Sequence, residues 1–111
     1  MASKQETMIV EIPVRSDLAS YRFSVDLNEE SFEFLIEWNT RDEAWFITIS
    51  DTDGIVILAG IKVVVNWLLT RLFRLSGLPR GDLIAVDISG TNEPCARHDF
   101  GVRVKLMFIE D

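Results

Sequence analysis

Every second residue from Phe32 to Trp38 is large and apolar: Phe32, Phe34, Ile36 and Trp38. After a polar run at residues 39–43, Trp45, Ile47 and Ile49 resume the same spacing. A period of two is the signature of a strand with one buried face. The other face of the first segment carries Glu33, Leu35 and Glu37. Two such segments around a short polar connection predict a β-hairpin.

The alternation recurs elsewhere. Tyr21, Phe23, Val25 and Leu27 interleave with Arg22, Ser24 and Asp26, and Val102, Val104, Leu106 and Phe108 oppose Arg103, Lys105 and Met107. Residues 8–12 read as a strand stopped by Pro13, and residues 82–88 as a further strand before a loop at 89–94. Asp51-Thr52-Asp53-Gly54 reads as a tight turn, with Gly54 free to take a positive φ. Residues 55–59 return as a strand, Gly60 marks a bulge or a close backbone approach, and residues 61–65 continue extended. At residues 66–76 the period changes. Asn66, Thr70 and Arg74 fall four apart, with Leu68, Leu69, Leu72 and Leu75 between them. That spacing predicts an amphipathic helix, capped by Asn66 and ended by Gly77 and Pro79. The expected fold is mainly β: a small antiparallel sheet of about seven strands, curled or closed into a barrel, with one short helix. A flat sheet of this size would leave long edges open, so closure or pairing with a partner is expected.

A chain of 111 residues with 48% apolar content makes one domain with a real core. Residues 1–7 read as a flexible tail and 8–111 as the domain. One cysteine excludes a disulfide framework. Eighteen acids against 11 bases argue against binding duplex DNA, which depends on neutralising phosphates. The charge is uneven: residues 1–60 hold 12 acids and 4 bases, whereas residues 61–111 hold 6 acids and 7 bases. Such a lopsided molecule suits orientation within an assembly. The polar N-terminus shows no secretory pattern, and charges interrupt the most apolar stretch, so the expectation is a soluble protein made in the cytoplasm.

Few residue sets could carry chemistry. Asp51 and Asp53 match the start of a calcium loop, but the twelfth position holds Lys62 instead of the required Glu. His98 lies three residues after Cys95 and beside Asp99, the arrangement a thiol–imidazole hydrolase would use. Nothing in the sequence orients a base or builds an oxyanion site there, and two ligands fall short of a zinc site. Glu33 and Glu37 share an outward strand face about 13 Å apart, too far for a glycosidase pair. No glycine run cradles a phosphate. Neither catalytic residues nor a metal or cofactor are expected. The aromatic rings leave one alternative, a small β-barrel module binding a ligand or single-stranded nucleic acid.

Taken together, Glu37-Trp38-Asn39, Trp45-Phe46, Asp51-Thr52-Asp53-Gly54 and Leu58-Ala59-Gly60-Ile61 resemble the baseplate plug family of a cyanophage contractile tail. The turn Leu75-x-Gly77-Leu78-Pro79-x-Gly81 and the run from Gly101 to Leu106 extend the resemblance over roughly residues 8–110. Residues 66–75 depart from it in being more apolar and more basic. The resemblance implies a structural protein of a phage, prophage or tail-like particle, acting at the hub and tube end of the baseplate. Implied partners are the baseplate hub, tail tube and spike proteins, and a homo-oligomer is also admitted; no membrane and no specific nucleic acid are implied. It implies no enzymatic activity and no cofactor, synthesis in the host cytoplasm, and residence in the virion tail. The residues carrying its signature are Trp38, Asn39, Trp45, Asp51, Asp53, Gly54 and Gly60. Arg71 and Arg74, with Glu33 and Glu37, are the candidate partner surface.

Overall fold

The alternation along residues 32–49 builds the centre of the molecule. The computed structural model describes residues 9–70 and 77–110. Seven strands run through them: β1 (Ile9–Ile12), β2 (Ser20–Leu27), β3 (Glu30–Asn39), β4 (Ala44–Ser50), β5 (Val56–Lys62), β6 (Gly81–Asp87) and β7 (Val104–Glu110). They form two antiparallel sheets, ordered β1-β7-β6 and β2-β3-β4-β5. The fold is therefore mainly β and antiparallel with seven strands, as the alternation predicts. The proposed tail at residues 1–7, and Met8, lie outside the described residues.

Phe32, Phe34, Ile36, Ile47 and Ile49 from the four-stranded sheet are buried, as are Leu83, Ala85, Val104, Leu106 and Phe108 from the three-stranded one. All ten belong to one apolar core. Two half-buried sheets each hide an apolar face by stacking, which is why the period is two in both. The barrel is not formed: the sheets remain separate and their edges do not join. β1 is only four residues long and ends before Pro13, which has no N–H to extend a ladder.

Two further expectations change. Residues 66–70 are not helical. Asn66 sits at φ 61°, its N–H donates to the Ala85 carbonyl at 2.6 Å, and the Leu69 N–H donates to the Leu83 carbonyl at 2.7 Å. Val65 and Leu68 also bridge to β6. Backbone groups committed to a neighbouring strand cannot serve an i→i−4 ladder, so tertiary pairing overrides the four-residue spacing. The rest of the expected helix, residues 71–76, lies outside the described residues. The last strand begins at Val104, not Val102, because the Asp99 carbonyl accepts from the N–H groups of Val102, Arg103 and Val104 in a tight turn. Val102 is thereby left 61% exposed.

Candidate functional site

In the β3–β4 hairpin, Trp38 lies directly opposite Trp45 and Asn39 opposite Ala44. The Trp45 carbonyl accepts from the Val63 N–H at 2.9 Å, on the β5 side. The Trp38–Trp45 pair is therefore one of the close pairs without mutual backbone bonds. Their rings meet edge to face with centroids 5.5 Å apart, the arrangement their quadrupoles favour. Asn39 closes the connection by accepting the Asp42 N–H on its side-chain oxygen at 3.0 Å.

Trp45 is fully buried, and its far side faces the irregular segment between β6 and β7. Its indole N–H donates to the Ala96 carbonyl at 3.1 Å, Arg97 lies over the ring at 5.3 Å, and Phe100 packs at 5.8 Å. One side chain thus joins the hairpin to residues 96–100.

That segment is held by a polar knot around Asp87, the last inward position of β6. The Asp87 carboxylate accepts from the Ser89 hydroxyl at 2.6 Å, the Ser89 N–H at 2.9 Å, the Thr91 hydroxyl at 3.0 Å and the Asn92 N–H at 2.6 Å. Arg103 pairs with it at 3.0 Å and with Asp99 at 2.9 Å, and donates to the Pro94 carbonyl at 2.7 Å. These bonds, led by the Ser89 hydroxyl, hold the Asp87 carboxyl well below the usual carboxylate range against the opposing effect of burial. The Arg103 guanidinium likewise lowers Asp99. The sequence signal for this knot was an acid at the inward position after Leu83 and Ala85, followed by Ser, Thr and Asn; its cation lies 16 residues away, beyond any local pattern.

At the other end of β4, the Asp51 carboxylate accepts from the Asp53 and Ile55 N–H groups, both at 2.9 Å, and Gly54 takes φ 84°. Gly60, at φ 69°, lies where β5 carries one residue more than β4, and its N–H donates to the Thr48 hydroxyl at 3.2 Å. Trp45 and Asp51 are six residues apart along a strand, about 20 Å. These residues shape a hairpin, a turn and a bulge, and they do not converge on one cleft.

The family described as cyanophage baseplate Pam3 plug gp18 matches residues 9–111. The chain belongs to this baseplate plug family. It is a structural component of a phage baseplate, interacts there with other baseplate proteins, and resides in the virion tail once assembled. No curated protein matches it.

In the plug chain, the remaining sequence candidates that lie among the described residues each have their own surroundings. Glu33 lies beside Arg22 at 3.4 Å, while Glu37 is exposed on the outer face of β3. Arg71 and Arg74 lie outside the described residues. Cys95 is buried, and burial, reinforced by the charge of Asp99, pushes its thiol up to about 12. Such a thiol stays protonated at neutral pH and is a poor nucleophile. His98 is exposed, and its carbonyl accepts from the Ser16 hydroxyl at 3.3 Å. Among the described residues, no group of three or more His, Cys, Asp or Glu is placed to hold a metal ion. Two open hollows of about 810 and 720 Å³ lie beside Glu29 and Glu30, and neither is lined by Trp38, Trp45, Cys95 or His98. The rings that would have to stack bases are buried at Phe32, Phe34 and Trp45; among the described residues the exposed aromatic is Trp67.

Proposed function

We propose that this chain works at the hub and tube end of a contractile tail, through protein–protein contacts and without catalysis of its own. The family match over residues 9–111 carries this reading. The fold supports it: its signature residues form turns and a core, and the Cys95 thiol is buried and held in its protonated form. The proposed partners are the hub, tube and spike proteins, with synthesis in the host cytoplasm preceding incorporation. The acids Glu33, Glu37, Asp42 and Glu43 would face passing DNA and limit sticking by like-charge repulsion.

The test is co-expression with the neighbouring tail proteins, followed by purification and imaging of the complex. Density for this chain at the hub or tube end is expected. Its recovery free of those proteins, or density confined to the baseplate periphery, would overturn the proposal. Salt-sensitive retention on single-stranded DNA would favour the binding-module alternative instead.

A further inference from the structure

Two open sheets have four edges, and three of them are blunted. β1 is short and followed by Pro13. β5 carries register shifts and the positive-φ Gly60. The outer side of β6 receives Val65 and Leu68. Bulges, prolines and covering segments are the usual means of protecting an edge. Among the described residues, β2 has none of these. All eight of its residues pair one to one with β3, it contains neither Gly nor Pro, and among the described residues it is the last strand of its sheet.

The direction of its free backbone groups is fixed. The Ala19 carbonyl accepts from the Trp38 N–H at 2.8 Å, in the same register that pairs β2 with β3. Antiparallel bonding alternates, so Tyr21, Phe23, Val25 and Leu27 bond toward β3. Ser20, Arg22, Ser24 and Asp26 therefore aim their N–H and C=O groups at the open edge. Their side chains share the outer face, whereas Tyr21, Phe23 and Val25 on the inner face are only half-buried against the core.

We infer that β2 is a self-association edge, joining a second copy of this chain antiparallel about a twofold axis at Ser24. The charges select both occupant and register. With Ser24 opposite itself, Arg22 of each copy lies opposite Asp26 of the other, and Phe23 lies opposite Val25. An axis at Arg22 or Asp26 would set like charges face to face, and an axis at Phe23 or Val25 would leave both charges opposite uncharged residues. Cross-strand pairs of opposite charge favour pairing, and like pairs oppose it. The Arg22 side chain is 62% exposed and meets Glu33 of its own strand pair at 3.4 Å, and the Asp26 carboxylate accepts from the Ser31 hydroxyl at 2.5 Å; both contacts are exposed and would be shared or exchanged on pairing. The product is one eight-stranded sheet with its apolar face continuous across the axis, an isologous contact that closes on itself.

The inference depends on the fold and not on the tail role, and it is tested on the isolated full chain. Sedimentation at about 100 μM should show a dimer that dissociates on dilution. Amide exchange at Arg22, Ser24 and Asp26 should slow as concentration rises, while Tyr21 and Phe23, already bonded to β3, should not change. Arg22→Asp or Asp26→Arg should each weaken association at least tenfold, and the double exchange should restore it. Ser24→Pro, which removes an edge-facing N–H that β3 does not use, should give a folded monomer. A wild-type monomer at that concentration, a dimer with unchanged exchange at those three amides, or single reversals without effect would each overturn the inference. Incorporation into tails is read in a separate preparation, so either result can fail alone.

Discussion

The β3–β4 hairpin and the segment at residues 88–103 are both ordered, but by opposite means. In the hairpin, seven consecutive residue pairs hold the register from Glu33–Ser50 to Asn39–Ala44, and alternate side chains bury in a row. Its order is distributed, so each contact carries a small share. Residues 88–103 contain no strand, and their backbone is drawn inward by the carboxylates of Asp87 and Asp99 and by the side chain of Arg103. That order is concentrated in a few charge-assisted bonds, which are stronger individually and unforgiving when one partner is lost. Trp45 belongs to both systems: its ring lies in the sheet core and its N–H holds the Ala96 carbonyl.

The largest effect is therefore expected from Trp45→Ala. Removing a fully buried indole costs about 3–5 kcal/mol through lost transfer energy and the cavity left behind. It also releases Ala96, Arg97 and Phe100 from the sheet. Urea unfolding should show the loss, with amide exchange rising in both regions. A loss below about 1 kcal/mol would mean that the two regions are not joined through this ring.

Arg103→Ala should separate the regions. It leaves the Asp87 carboxylate buried without its cation, and frees the Pro94 carbonyl. Amides of residues 88–103 should exchange roughly tenfold faster or more, while those of β3 and β4 keep their protection. Equal loss in both would show a single cooperative unit. Acid should act on the same segment. Asp87 and Asp99 titrate lower in the folded chain than in the unfolded one, so their stabilisation is complete above the ordinary carboxylate value near 4 and fades as pH falls below it. Protection of residues 88–103 should therefore decline in acid before that of the hairpin.

The same contrast decides what the sequence makes legible. Distributed order repeats at short range, so Phe32, Phe34, Ile36, Ile47 and Ile49 announce their strands and their buried face. Concentrated order does not repeat. Asp87 and Arg103 meet only after β6 and β7 have paired, and no periodicity encodes that meeting. The helical spacing of residues 66–70 misleads for a related reason: four-residue repeats of Leu and polar groups suit a helix in isolation, but the edge of β6 offers the backbone other partners. Trp38 and Trp45 are visible as a strand pair, whereas the contact of Trp45 with Ala96 is not, since it links residues 51 apart.

The smallest effect tests whether the four-stranded sheet is limited by its turns. Leu27 and Glu30 pair across a two-residue connection in which Asn28 and Glu29 take φ 57° and 65°. Two positive φ values match the twist of the flanking strands, and Asn followed by Gly is the sequence that meets this demand most easily. Glu29 is the costly member, because a Cβ in the left-handed region crowds the backbone. Asn28 is best kept, since its side-chain N–H donates to the Arg80 carbonyl at 2.6 Å and ties the turn to the start of β6. Glu29→Gly relieves the strain but gives the unfolded chain more freedom, so the net gain should be about 0.5–1 kcal/mol, read as a higher urea midpoint with an unchanged slope. A gain of that size with no change in exchange at residues 88–103 would confirm that the two modes of order are energetically separate. A neutral or unfavourable result would mean that the Glu29 carboxylate makes a compensating contact, and the order of the β2–β3 pair would then be less purely distributed than its register implies.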